Sequence, residues 1–313
     1  MSESLPYLLE LTVRLADGCG RRPAAWRRRM ARAVRAFQQR DHGFRGRDDS
    51  SDLYYTAFAV RTLAVLDELD PLTASSTLTF LRHRLAQRES LIDLVSLIFA
   101  AYTLEAATGE ELFGDAEPEW NERLCEELER FRCADGGYAR THAGRAGSIY
   151  QTFLQLLCYE LLDAPVPDRS AIVSFVRKQA AEGGGFVEIR VAKRAGVNPT
   201  AAAIGILELL DALDQPIIDA TIPFLVDLQT PEGGMRANTR TPIPDLLSTF
   251  TGLWTLDRLG AVRQLDLDQL RAFTESLETE RGYLGAAIDE MADAEYTFYG
   301  VGTMALLERL APR

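Results

Sequence analysis

Two stretches decide the fold. One is Asp135-Gly136-Gly137-Tyr138, followed by a polar loop and the apolar run Tyr150–Leu162; the other is Gly183-Gly184-Gly185-Phe186, followed by a polar loop and Thr200–Leu213. Both contain a glycine turn that ends in an aromatic residue, a connecting loop, and an apolar segment of helix length. The pattern returns at Asp41-His42-Gly43-Phe44, at Gly233-Gly234-Met235 and at Arg281-Gly282-Tyr283. Spacing alone puts a further copy, stripped of its glycines, around Leu91. Successive marks lie about 48 residues apart, and a constant period between roughly 20 and 50 residues is the signature of a repeat architecture.

The flanks of each mark agree. Before it runs an amphipathic segment with apolar residues at helical spacing, such as Ile172, Phe175 and Val176, with Gln179 in the same register, or Ile222, Leu225, Val226 and Leu228. After it comes a loop longer than most helix–helix connections. Second helices are then expected over Tyr54–Leu66, Leu94–Leu104, Tyr150–Leu162, Thr200–Leu213, Leu246–Leu259 and Tyr296–Leu310. These are rich in Ala, Leu and Phe, whereas the first helices carry charge (Arg27-Arg28-Arg29, Glu126-Glu127, Asp268 to Arg271). A helix apolar nearly all round is buried on both sides, and one with a single apolar stripe faces water. Six buried helices within six half-exposed ones describe an all-α (α/α)6 barrel, or toroid, of six helical hairpins. The expected repeats span 24–66, 71–108, 117–163, 168–213, 217–260 and 266–310 of a single domain over 1–313, with the long loops at one end. The only β-branched stretch, Phe186 to Val191, is short and glycine-flanked.

Composition narrows the class. The chain has 313 residues, 47% hydrophobic and 26% charged, with a formal net charge of −12. That excludes collagen-like, coiled-coil and disordered classes. The acidic excess argues against nucleic acid as a partner, since non-specific binding depends on Lys and Arg neutralising phosphates. No apolar run reaches the roughly 18–20 residues of a transmembrane helix, and Met1 to Leu9 lacks the basic-then-apolar pattern of a secretory signal. Cys19, Cys125, Cys133 and Cys158 form no CxxC pair and read as reduced thiols of a cytoplasmic protein.

Particular segments carry a family resemblance. They are Gly43-Phe44-Arg45-Gly46 with Tyr54-Tyr55-Thr56-Ala57-Phe58-Ala59, the run Tyr296-Thr297-Phe298-Tyr299-Gly300-Val301-Gly302, and Gln229-Thr230-Pro231-Glu232-Gly233 with Met235 where tryptophan would stand. Over residues 24–310 the chain resembles the β-subunits of protein prenyltransferases and the related squalene and terpene cyclases. The resemblance implies an isoprenoid or prenyl diphosphate ligand and a helical-repeat partner subunit. It also implies a zinc site of an Asp-x-Cys pair on the fifth inner helix and a His on the sixth. Here those positions read Asp245, Leu247 and Tyr296. Leucine cannot ligate zinc and a neutral phenol is a poor substitute for imidazole, so zinc is not expected. The family's diphosphate clamp is altered too: a histidine position reads Asn198 and an arginine position reads Tyr150, while Arg236 and Arg240 sit near the family's basic pair. No Asp-x-Asp-Asp acid of a squalene-type cyclase is present; Asp48-Asp49-Ser50-Ser51-Asp52 is not one.

Asp52, Asp93, Asp245 and Asp293 each stand where an inner helix begins, as does Asn198-Pro199. One reading is an N-cap, whose side chain accepts from free backbone N–H groups. The other is a set of carboxylates that hold Mg2+ beside a diphosphate or act as acid or base. Asp245, Asp293 and Tyr296 are the catalytic candidates. Arg236, Arg240, Arg194 and Lys193 are candidate anion contacts in the loops after the glycine turns, aided by the helix N-termini. Tyr55, Phe58, Tyr150, Phe153, Phe250 and Trp254 are candidate walls for an isoprenoid, and ordinary core packing also accounts for them. The arginines around Arg27 read as a solvated or partner-facing surface. Three functions follow: a zinc-independent prenyl-transferring or cyclase-like enzyme, an inactive toroid that binds lipid or protein, and an (α/α)6 glycosidase. The last would want paired carboxylates beside clustered tryptophans, which Trp26, Trp120 and Trp254 do not suggest.

Overall fold

A computed structural model describes residues 5–84, 91–109 and 120–311. Among them are thirteen α-helices and only two-residue strands. The first helix is α1 (Tyr7–Arg21), and the other twelve alternate as expected. The outer helices are α2 (Ala24–Arg35), α4 (Pro71–Arg84), α6 (Trp120–Glu129), α8 (Arg169–Arg177), α10 (Gln215–Val226) and α12 (Leu267–Ser276). The inner helices are α3 (Leu53–Val65), α5 (Leu91–Thr108), α7 (Ile149–Leu161), α9 (Val197–Leu209), α11 (Leu246–Arg258) and α13 (Ala294–Leu310). None of the described helices is long and apolar enough to cross a membrane. The second repeat's turn, expected around Leu91, falls where α5 begins at Leu91, and residues 85–90 before it lie outside those described.

The chain forms two compact units, residues 1–120 with 274–313 and residues 121–273. In the first, α3 packs between α13 and α5, with α1 laid along α13. In the second, α9 packs between α7 and α11. Burial follows composition. On α8 only Ile172, Phe175 and Val176 are buried, whereas α13 buries every residue from Thr297 to Leu307. On α10 the buried residues are Thr221 and Leu225, and the expected Ile222 and Val226 are half-covered.

A threonine fixes each glycine turn to its inner helix. The backbone N–H of Phe44, Tyr138, Phe186, Met235 and Tyr283 donates to the hydroxyl of Thr56, Thr152, Thr200, Thr249 and Thr297, at 2.9–3.1 Å. Three of those hydroxyls in turn donate to the carbonyl of the residue that starts the helix: Asp52, Ser148 or Asp245. All five threonines are fully buried, so each turn N–H has a partner away from water. The glycines serve the other side of the turn. Gly233 has φ +98° and lies against the Gln269 carbonyl of α12, where a Cβ would overlap it. Gly137 and Gly234 leave room for the rings of Phe175 and Phe273 on the next outer helix.

The arginines of α2 are mostly stitches to neighbouring elements. Arg27 donates to the Leu66 carbonyl, Arg35 pairs with Asp70, and Arg29 pairs with Glu278. Of the run Arg21, Arg22 and Arg27 to Arg29 read as a solvated or partner-facing surface, Arg21 and Arg28 are exposed and the others are half-covered.

Candidate functional site

In the first unit the N-terminal ends of α3 and α13 bring together acids, a cation and aromatic rings. Asp293 caps α13: its Oδ1 accepts from the Tyr296 N–H at 2.8 Å. It is only 1% exposed, and its Oδ2 accepts from Arg47 Nε at 3.0 Å. The same guanidinium reaches Asp289 at 3.4 Å and lies 5.5 Å from the Tyr296 ring centroid. Burial holds the Asp293 carboxyl above its usual range, against the pull of its backbone bond and Arg47. The N-cap reading of Asp293 is therefore met, and the residue is also an ion-pair partner.

Next to it stands Glu295, which sequence reading did not single out. It lies in the first turn of α13, and the Tyr54 hydroxyl donates to its Oε1 at 2.6 Å. Burial is the main reason its carboxyl is pushed up to about 7. The negative Asp293 adds to that shift, while hydrogen bonds from Tyr54 and Tyr299 and the Arg47 charge oppose it. A carboxyl balanced there can give or take a proton near neutral pH.

Aromatic rings continue inward from this acid. Tyr54 meets Phe58 edge-on at 5.0 Å between centroids, and Phe58 lies 5.5 Å from both Phe298 and Tyr299. Tyr296 and Tyr299 are 6.2 Å apart, and the Arg61 guanidinium stands 4.3 Å from the Phe298 centroid. Tyr55 contacts Tyr54 at 5.4 Å, and burial pushes its phenol up to about 12. Of the sequence candidates, this cluster gathers Asp293, Tyr296, Tyr55 and Phe58. Asp52 caps α3 through the Tyr55 N–H at 2.7 Å, with its carboxyl raised by burial. Asp93 lies in the first turn of α5.

The second unit holds the remaining candidates. Asp245 caps α11, and both its oxygens are engaged by Ser248, from the backbone N–H at 2.7 Å and the hydroxyl at 2.8 Å. Asn198 is not the expected cap of α9; Gly196 takes that place, and the Asn198 side chain accepts from the Thr251 hydroxyl at 2.8 Å instead. At α7 the cap is Ser148. The Glu188 carboxylate from the following loop also sits at that terminus, accepting from the Ser148 hydroxyl and the Tyr150 N–H. Four inner helices thus meet their N-terminal charge with the chain's own polar groups, three of them Asp residues. Arg236 is turned back toward α10, donating to the Asp227 carbonyl at 3.4 Å. Arg240, Arg194 and Lys193 are exposed. Phe250 and Trp254 are each 4% exposed, Trp254 under Arg258 at 5.3 Å. Tyr150 and Phe153 are half-buried, and Phe153 packs against Gly205.

These residues do not fit a zinc ion. Asp245 is engaged by Ser248, and the two other positions that the resemblance points to hold leucine and tyrosine. Among the described residues no group of three His, Cys, Asp or Glu side chains could hold a metal.

Comparison with known proteins gives this geometry a lineage. Residues 12–95 and 90–312 match the family model described as the prenyltransferase alpha-alpha toroid domain. The protein farnesyltransferase β-subunit of Pisum sativum is 28% identical over 187 residues, 57% of this chain and 43% of that protein, so the match spans under half of that relative. Among solved structures, Candida albicans protein geranylgeranyltransferase-I, complexed with GGPP, superposes with a TM-score of 0.66 at 15% identity, covering 81% of this chain and 83% of that one. A variant of the type II terpene cyclase MstE from Scytonema, holding geranylgeranyl dihydroxybenzoate, gives 0.63 at 11% identity, covering 97% and 100%. At those identities the likeness is one of fold. With the family model matched over nearly its whole length, the chain belongs to the prenyltransferase α/α-toroid family.

Proposed function

We propose that this protein binds an isoprenoid against the aromatic side chains of its inner helices and transfers or rearranges it without zinc, with Glu295 as the proton-carrying group. The observation that carries the reading is the cluster in which Tyr54, Phe58, Tyr296 and Tyr299 flank one half-buried acid. Two solved relatives of the fold hold GGPP and geranylgeranyl dihydroxybenzoate, which favours the same ligand class here. Aromatic faces bury the apolar chain and stabilise a carbocation.

In this reading protonated Glu295 gives its proton to an alkene carbon. The two π electrons form the new C–H bond, the positive charge passes to the neighbouring carbon beside the rings, and later loss of a proton restores the acid. Asp293 and Arg47 hold the helix end and set the local charge. In this reading Tyr296, beside Arg47 at the same helix end, is the hydrogen-bond donor to an oxygen of the bound molecule. Asp245 serves as a cap.

Native mass spectrometry of the purified chain, with turnover assays on farnesyl and geranylgeranyl diphosphate, tests this. The expected result is a bound isoprenoid, and turnover that Glu295→Gln abolishes while the lipid stays bound. Bound lipid without turnover under any condition would make the protein a lipid-binding toroid. That second reading draws on the leucine and tyrosine at the family's ligand positions. Neither lipid nor turnover would reject both.

A further inference from the structure

We propose that the cleft between α2 and the turn at Glu280 and Arg281 binds a small phosphate-bearing anion. The cleft encloses about 340 Å³ and draws arginines from three parts of the first unit: Arg29 and Arg32 from α2, Arg45 from the strand after the first glycine turn, and Arg281 from the hairpin. It lies apart from Glu295 and its rings, sharing no residue with them.

Its shape follows from the helix. Arg29, Arg32, Ala33 and Ala36 recur at spacings of three and four, so they share one face of α2 and its final turn. Ala33 and Ala36 give that face short side chains between the arginines, and Phe37 lines the cleft with them. A volume of this size is at the lower end of the roughly 300–1,000 Å³ of small-molecule sites.

Its charge is the unusual part. Acids outnumber bases in the chain by 46 to 34, yet this cleft lines up four arginines against one glutamate, Glu280. Arg29 is tied down by Glu278, and Arg45 by a fully exposed Asp49 at 3.3 Å. Arg32 and Arg281 have no ion-pair partner among the described residues. Like charges held together without counter-ions repel one another, and an anion in their midst reverses the sign of that term. Guanidinium forks suit phosphate oxygens bidentately. The guanidinium groups of Arg32 and Arg281, the two without an ion-pair partner, are the forks left to grip such a group, and the volume calls for a short anion.

Titration calorimetry on the full chain with inorganic diphosphate tests the site. Flotation with phosphatidylcholine vesicles carrying phosphatidic acid separates a free phosphate compound from a lipid headgroup. The expected result is saturable diphosphate binding that Arg32→Ala with Arg281→Ala weakens by at least about tenfold, the scale of losing two charge-assisted forks. Arg28→Ala, on the same helix but outside the cleft, should leave it unchanged, and lipid retention at the Glu295 cluster should be the same in all variants. Vesicle binding with the same arginine dependence, competed by diphosphate, would also support the site and name a headgroup as its source. No binding of either probe, equal binding of citrate, or binding indifferent to Arg32 and Arg281 would overturn the proposal.

Discussion

At Glu295, burial and the neighbouring Asp293 carboxylate hold a proton against the pull of Arg47, Tyr54 and Tyr299. A carboxyl raised to about 7 when folded, from an unfolded value near 4.5, binds more protons in the native state across that interval. Its contribution to stability is therefore complete below about pH 4.5, falls as pH rises, and is lost above about 7. Glu295→Gln keeps an acceptor for the Tyr54 hydroxyl and removes the titration. Urea unfolding should find the variant close to the parent near pH 4.5 and more stable at pH 8, by up to about 3 kcal/mol. A parent whose advantage grows with pH would mean that Glu295 is stabilised as an anion. The residue also marks where sequence reading stops. Asp245 and Asp293 were legible as caps because an N-cap is a local event, set by the helix that follows it. The partner that distinguishes Glu295 is Tyr54, separated from it by 241 positions in the chain, and no periodicity reports such a pairing.

For whole elements the reading succeeded because each hairpin is specified within its own repeat. Glycine turn, loop and apolar run all lie close in sequence, and the inner and outer helices formed where composition put them. What escaped was the fastening, since a threonine inside an apolar run reads as ordinary filler. Thr249→Val keeps the shape but leaves the Met235 N–H without a partner in a fully buried place. The cost should be about 1–3 kcal/mol in chemical unfolding, the usual penalty for a stranded buried donor; a change within error would show that the turn holds without this bond. Gly233→Ala acts on the other side of the same turn. Its φ of +98° is strained for any side chain, and the new Cβ would meet the Gln269 carbonyl of α12. Backbone strain alone costs about 1–3 kcal/mol, and the overlap adds to it. Thermal melts should place this variant below Thr249→Val, and the reverse order would mean that α12 moves aside freely.

For the molecule as a whole, a 48-residue rhythm finds what repeats and is blind to what does not. Helix α1 precedes the first repeat and was missed for that reason, although Tyr7, Leu11, Leu15 and Cys19 form a regular stripe along it. The stripe lies along α13 and α3, and Gly18 is so close to the Ala305 carbonyl that no side chain would fit between them. Those two helices also carry Glu295, Asp293, Tyr54 and Phe58, so α1 braces the back of the elements that hold the candidate acid. Leu15 is fully buried, and Leu15→Ala should cost about 2–5 kcal/mol through lost burial and the cavity left behind. If α1 fixes the relation of α13 to α3, the variant should also lose the Tyr54–Glu295 bond and with it the elevated proton affinity. The pH-dependent gain of Glu295→Gln would then shrink when combined with Leu15→Ala. A double-mutant cycle run at pH 5 and pH 8 measures this coupling, since sites without a shared packing path add within about 0.3–0.5 kcal/mol. Strict additivity at both pH values would confine α1 to bulk stability and leave the acid positioned by α3 and α13 alone.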